Sequence, residues 1–237
     1  MIYAIGDLHL ALSAPKPMDI FRGWDGYMEK LEQSWRQTVT DTDTVVVAGD
    51  VSWAMKLTEA EADFSFLESL PGRKLLMKGN HDYWWSTRSR MESQFEAFGL
   101  KSLQILHNSA VLADGVALCG SRGWMFENGE SHDRKIVERE AGRIAMSLKA
   151  AEESSSGTAV EKLLFLHYPP IFGNQVIPEF FDVMEQYGVK RCYYGHLHGP
   201  ALHEAFCGNY RGVQLSLISA DYLGFAPLRI NIAENDS

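Results

Sequence analysis

Apolar residues along this chain follow two rhythms. Residues 44–48 (Thr-Val-Val-Val-Ala), 73–77 and 162–166 are apolar on both faces, as strands covered on two sides are. The opening Met1-Ile2-Tyr3-Ala4-Ile5 is strand-like as well. Between these runs the apolar positions recur every three or four residues. Met28, Leu31 and Trp35 predict a helix over 25–39, and Thr58-x-x-Glu61 has the form of a capping box opening a helix over 59–69. Residues 86–98 and 132–152 also predict helices. Shorter strands follow at 103–106, 109–113 and 116–120, the last two joined across Asp114-Gly115, a hairpin signal. Residues 201–206, 211–217 and 228–232 read as further short strands between glycine-bearing turns. The expected fold is α/β, a four-layer α-β-β-α sandwich of two mixed β-sheets flanked by helices.

Five of the strand-like runs end in residues that bind metals. The ends are Gly6-Asp7-Leu8-His9, Gly49-Asp50, Gly79-Asn80-His81-Asp82, Leu166-His167 and Gly195-His196-Leu197-His198, and they hold five of the eight histidines. In open α/β sheets, ligands bind beyond the carboxyl ends of strands, so folding would gather these groups. Residues two apart in extended chain share a face, which pairs Asp7 with His9 and His196 with His198. Glycine precedes four of the leading ligands; its freedom in φ allows a sharp turn, and its missing side chain allows close approach. A donor set of imidazole, carboxylate and amide without thiolate suits Mn, Fe, Zn or Ni better than Ca or Mg. Two divalent ions held by two formal negative charges leave a cationic centre, which attracts phosphate and acidifies bound water.

In order and type these clusters resemble the calcineurin-like metallophosphoesterases: D-x-H, G-D, G-N-H-D, an isolated His, then G-H-x-H, spanning residues 7 to 198. The resemblance implies two divalent metal ions, one held by Asp7, His9, Asp50 and His198. The second would be held by Asn80, His167, His196 and the shared Asp50. It further implies that a bridging hydroxide attacks a phosphoester, with His81 assisting departure of the leaving oxygen and Asp82 orienting the His81 ring. A helix cap before Tyr83 is the competing role for Asp82.

Length, charge and cysteine content narrow the setting. A chain of 237 residues buries roughly 70–75% of its unfolded surface and needs no disulfide to fold. Ser154-Ser155-Ser156-Gly157 reads as a surface loop rather than a linker, because candidate ligands flank it, so 1–237 is expected to form a single domain. The net charge of −9 counts against nucleic acid as partner and hence against a nuclease. It leaves small anionic phosphoesters open, because metal ions reverse the local field. A non-catalytic scaffold of the same fold would be expected to lack ligands or His81, and none is missing. Cys119, Cys192 and Cys207 read as buried free thiols in a reducing compartment. With no basic-apolar leader and no apolar stretch near ~20 residues, a cytoplasmic protein without membrane contact is expected. The sequence leaves the oligomeric state open.

Around the centre, the loop from Leu10 to Gly23 and the residues Trp53, Trp84 and Trp85 are candidates for walling an organic group, with loop packing as the alternative. Arg122, in the polar segment 121–134, is the candidate clamp for a phosphate oxygen, since guanidinium presents a planar fork; a solvated arginine is the alternative. The aromatic surroundings favour a small phosphodiester over a monoester. His107, His132 and His203 lie outside the motifs and are expected to pack or to face solvent.

Overall fold

The computed structural model describes residues 1–126, 133–156 and 158–232. In chain order the elements are β1 (Ile2–Ile5), α1 (Tyr27–Thr38), β2 (Thr44–Val47), α2 (Glu61–Ser69), β3 (Arg73–Leu76), α3 (Arg88–Ala97), β4 (Leu103–Ile105), β5 (Ser109–Ala113) and β6 (Val116–Ser121). Then follow α4 (Asp133–Ser154), β7 (Glu161–Leu166), β8 (Ile171–Phe172), β9 (Gln175–Val176), α5 (Pro178–Gln186), β10 (Arg191–Tyr194), β11 (Gly208–Tyr210), β12 (Val213–Leu217) and β13 (Leu228–Ile230). Two mixed sheets result, in the orders β13-β1-β2-β3-β4 and β11-β12-β10-β7-β6-β5, with β8-β9 a separate ribbon. The expected sandwich is the observed one.

Alternation explains why the central strands carry apolar residues on both faces. In β1, Ile2 and Ala4 join a cluster between the sheets with Val46, Leu75, Leu118, Leu163 and Phe165. Tyr3 and Ile5 point the other way, into a cluster with Leu31 and Trp35 of α1, Phe64 of α2 and Phe95 of α3. The second sheet repeats the arrangement: Leu164 and Leu166 of β7 pack with Ile144 and Leu148 of α4 and Phe180 of α5. The central strands β1, β2 and β7 are therefore covered on both faces, and they show no polar face in the pattern.

Several expectations are corrected. Thr58 does not cap α2; it lies in a 3-10 turn, Leu57–Glu59, and Ala60 occupies the cap position without a side-chain bond. The Asp63 amide in the first turn finds Ser13 Oγ at 3.2 Å instead, so the loop from Leu10 to Gly23 supplies a partner for the helix end. Residues 201–206 are not a strand. Pro200 starts a 3-10 turn over Gly199–Glu204, consistent with its fixed φ and missing N–H. Helix α4 continues through Ser154, which shortens the expected serine loop, and its expected first residue, His132, lies outside the described residues, as does Gly157. Helix α5 was not expected; Pro178 opens it, and Phe180, Phe181 and Met184 bury one face. Asp114-Gly115 does form the hairpin turn, both residues having positive φ (46° and 78°). Cys119 and Cys192 are buried free thiols as expected, but Cys207 is exposed, since it follows the 3-10 turn rather than a strand. No helix among the described residues is long and apolar enough to cross a membrane.

Candidate metal centre and active site

The strands of each sheet end level. Ile5, Val47 and Leu76 face one another across β1, β2 and β3, while Ser121, Leu166 and Tyr194 do so across β6, β7 and β10. A parallel bridge between Gly6 and Ser219 joins the two sheets at this end, through Gly6 N–H to Ile218 O at 2.7 Å and Ala220 N–H to Gly6 O at 3.0 Å. The loops that carry the donors then turn sharply inward. Asp7, His9, Asp50 and His196 all have left-handed φ (59°, 45°, 50° and 73°), a conformation that costs non-glycine residues about 1–3 kcal/mol each. Cross-loop bonds hold them there: Asp7 N–H to Gly49 O and His9 N–H to Asp50 O, both 2.9 Å.

Among the glycines before the ligands, only Gly49 uses conformational freedom, at φ 91°. Gly79 and Gly195 serve close approach instead, since a Cβ on Gly79 would overlap Asp50 Oδ1 and one on Gly195 would overlap Asp7 Oδ2.

Two donor groups form, Asp7–His9–His198 and Asp50–His167–His196, each with its ligand atoms within 4.8 Å of one another. They adjoin: His9 Nε2 lies 3.3 Å from His198 Nε2 and 3.7 Å from Asp50 Oδ2, and His167 Nε2 lies 3.7 Å from Asp50 Oδ2. Asn80 completes the second group, its Oδ1 being 2.7 Å from His167 Nε2 and 2.9 Å from His196 Nδ1. His167 donates Nδ1–H to Ala48 O at 3.0 Å, so its Nε2 presents a lone pair to the Asn80 oxygen, acceptor against acceptor. A shared cation resolves that contact, and the mixed nitrogen and oxygen donors suit a transition metal. The residues therefore fit two metal ions.

The electrostatics agree with donors waiting for cations. Burial pushes His196 down to about 3, aided by the neighbouring His167. Burial likewise lowers His9 and His167, so these rings are neutral and free to bind metal. His198 goes the other way: burial opposes its charge, but Asp7 and Asp221 overcome it and raise the ring to about 10. Burial and the charge of Asp7 raise Asp50 to about 8. Asp7 itself falls well below the usual carboxylate range, because the charged His198 beside it outweighs its burial.

His81 stands beside both groups. Its backbone N–H donates to Asp50 Oδ1 at 2.8 Å, and its ring lies 4.6 Å from Trp53 and 5.6 Å from His9. Burial, then His167 and Lys16, lower its pKa. Asp82 does not orient this ring as expected. Its carboxylate takes the amides of Asp50, Val51 and Gly79 at 2.9, 2.8 and 2.7 Å and the Trp84 indole at 2.9 Å, which uses up its acceptors, and His81 Nδ1 is left buried without a partner. Asp82 does not cap a helix at Tyr83 either, since α3 starts at Arg88 behind Thr87.

Of the tryptophans, Trp84 is a core residue against Phe64. Trp53 stacks on His9 at 4.9 Å and, with Met18, Phe21, Trp24, His81 and His198, lines an apolar cleft of about 400 Å³. Arg122 directs Nη2 to the Tyr168 hydroxyl at 3.2 Å, while its carbonyl accepts the amides of His167 and Tyr168. His107 is half-buried against Trp85 and His203 is exposed, both outside the donor groups.

Sequence reading missed two carboxylates. Asp221 Oδ1 accepts from His198 Nδ1 at 3.1 Å, which turns His198 Nε2 toward Asp7. Asp63 accepts from Ser52 Oγ at 2.5 Å and from Leu12 N–H at 2.8 Å, tying the loop from Leu10 to Gly23 to the loop after Asp50. The signals available were a lone Asp after an apolar strand and an Asp on the buried face of a predicted helix, neither distinctive alone.

Residues 1–200 match the calcineurin-like phosphoesterase family, and the chain belongs to it. It is thereby a metal-dependent phosphoesterase, a hydrolase of a family that uses a binuclear divalent metal centre. No curated protein matches the sequence. Among solved structures it is similar to the protein of unknown function AQ665 from Aquifex aeolicus (15% identity, TM-score 0.54, covering 96% of this chain and 94% of that one). It is also similar to TT1561 of Thermus thermophilus (14% identity, TM-score 0.53, covering 83% of this chain and 81% of that one). At these identities the likeness concerns the fold.

Proposed function

We propose that this chain hydrolyses a small phosphoester, with a diester favoured over a monoester, at two ions drawn from Mn, Fe, Zn or Ni. Asp7, His9 and His198 would hold one ion and Asn80, His167 and His196 the other, with Asp50, whose Oδ2 lies 3.7 Å from a ring nitrogen of each group, available to both. The observation that carries this reading is the convergence of the two donor groups on one point beside His81, under an apolar cleft. When bound, the ions neutralise phosphate charge and make water acidic enough to act as nucleophile near neutral pH.

The chain's own residues do the rest. Trp53 packs against His9 and His81, holding both rings at the cleft floor. His81, neutral in the free protein, regains basicity beside an anionic phosphoester, because a nearby negative charge favours the imidazolium. Substrate binding thus prepares it to protonate the leaving oxygen. Met18, Phe21 and Trp24 receive an apolar organic group of the ester; a diester carries such a group on each side of phosphorus, and the aromatic surroundings favour it on that ground. Arg122, whose carbonyl accepts the His167 amide and whose Nη2 reaches the Tyr168 hydroxyl, is assigned to a phosphate oxygen. Asp82 acts on catalysis indirectly, by fixing the loops that carry Asp50 and Asn80. The free cysteines suit a reducing compartment, and we assign the enzyme to the cytoplasm on that ground.

The test is a comparison of bis(p-nitrophenyl) phosphate with p-nitrophenyl phosphate, using protein loaded with each metal in turn. The reading expects metal-dependent turnover of both and a higher kcat/KM for the diester. Faster monoester turnover with every metal would reverse the preference, and inertness toward all phosphoesters would refute the activity.

A further inference from the structure

In a chain of net charge −9, one cavity gathers cations. It measures about 280 Å³ and is lined by Lys78, Arg88, His107, Arg122 and Arg143, with Trp85 as one wall; no acidic side chain lines it among the described residues. It shares no lining residue with the apolar cleft, yet it adjoins the metal centre. Lys78 stands two residues before Asn80, and the Arg122 carbonyl receives the amide of His167 at 3.1 Å.

The charges in this cavity are only partly compensated. Arg143 pairs with Glu140. Arg88 meets Glu92 at 3.8 Å and spends Nη2 on Ile105 O at 2.6 Å and Ser109 Oγ at 3.1 Å. Lys78 and Arg122 have no carboxylate partner among the described residues, and Arg122 Nε and His107 Nδ1 are buried without any hydrogen bond. His107 registers the combined field: burial first, then Lys78, Arg143, Arg122 and Arg88, hold it down to about 4. Lys78, Arg122 and Arg143 are half-buried around this space and Arg88 stands at its exposed edge; crowding like charges with part of their hydration removed is unfavourable unless an anion enters. Guanidinium groups present the planar fork that matches tetrahedral oxyanions, and a lysine adds a point charge.

We propose that this cavity binds a phosphate-class oxyanion. Its volume, just below the usual range of about 300–1,000 Å³ for ligand sites, suits one such group rather than a whole nucleotide. The oxyanion is either a second phosphate on the substrate whose ester sits at the metal centre, a source that rests on the phosphohydrolase reading, or free inorganic phosphate.

Two measurements test the site itself. Calorimetric titration of metal-loaded protein with inorganic phosphate is expected to give two phosphates per chain, falling to one in Lys78→Gln combined with Arg143→Gln. Because that variant could fold poorly, wild-type crystals soaked in tungstate provide a second measurement, with anomalous density expected between Lys78 and Arg122. A single phosphate in the wild type, with tungstate only at the metal centre, overturns the proposal.

The source is read from kinetics. If the substrate carries the second phosphate, Lys78→Gln lowers the kcat/KM ratio between a bis-phosphorylated substrate and its singly phosphorylated analogue about 10–100-fold, the range for one lost charged hydrogen bond. An unchanged ratio alongside a second calorimetric site supports the oxyanion site and assigns it to free phosphate. Protein that fills the cavity with tungstate yet hydrolyses no phosphoester would refute the proposed activity and leave this site standing.

Discussion

The two sheets contribute unlike halves to one centre. The first supplies Asp7, His9, Asp50, Asn80 and His81 from loops that are strained and heavily cross-tied: three of these residues have left-handed φ, and Asp82 alone gathers amides from two of the loops. The second supplies His167, buried in the core, and the pair His196 and His198, of which His198 is 26% exposed and braced chiefly by Asp221. One half is a rigid frame in which each residue is fixed several times over. The other is a short arm whose outer ring, His198, takes its orientation from Asp221 and its charge from Asp7 and Asp221 together. Substitutions should therefore fail differently on the two sides.

The largest effect is expected at the frame's hub. Asp82→Ala leaves the buried amides of Asp50, Val51 and Gly79 and the Trp84 indole without acceptors, at roughly 1–3 kcal/mol each. A loss of about 5 kcal/mol in denaturant unfolding is expected, enough to leave a marginal fold. If the variant lost under about 1 kcal/mol, less than one such unmade bond costs, the frame would not be the rigid half. Next comes Asp50, between the two donor groups. Asp50→Asn should deplete both metals, whereas His9→Ala should deplete mainly one; metal analysis showing equal, small losses would remove Asp50 from its bridging position. His81→Ala should keep both metals and lose about 10²–10⁴-fold in kcat, the usual range for general acid–base catalysis. Metal loss in that variant would make His81 a ligand instead.

This asymmetry also explains what could be read from the sequence. In the frame, function and local geometry demand particular residues close together, so Gly49-Asp50 and Gly79-Asn80-His81-Asp82 stand out as a pattern. A Cβ at Gly79 would strike Asp50, a constraint that shows in the sequence as a glycine directly before a donor. The expected roles did not follow as directly: Asp82 sits in the motif but ties backbone instead of orienting His81. On the arm, His196 and His198 were legible, but their brace Asp221 lies 23 positions beyond His198, with only Ser219, Ala220 and Tyr222 around it. The sandwich itself was legible because strands covered on both faces leave uninterrupted apolar runs. Helix α5 escaped because its short amphipathic stretch lies among several short apolar segments, and the 3-10 turn at Pro200 escaped because apolar Ala201 and Leu202 suggest a strand when Pro200 is ignored.

The smallest effect, and the finest probe of the contrast, is expected at Asp221. Removing a carboxylate that orients a metal-binding histidine typically costs about 10–100-fold in metal affinity, and Asp221→Asn should fall in that range while the frame's donors stay in position. The pH dependence should move as well. Asp7 and Asp221 raise His198 to about 10 from an ordinary 6.5, so in the metal-free protein its charge stabilises the fold fully below about pH 6.5 and ceases to do so as pH rises through about 10. The same proton must leave before His198 can bind metal, which makes metal affinity climb with pH across that window. Without Asp221 the raised pKa rests on Asp7 alone. The climb in affinity should then be complete at lower pH, and the alkaline loss of metal-free stability should shrink. Metal titrations and thermal unfolding across about pH 6 to 10 would read both at once. An unshifted profile in Asp221→Asn would mean that His198 takes its charge from Asp7 alone, and that the arm needs no brace beyond the frame it faces.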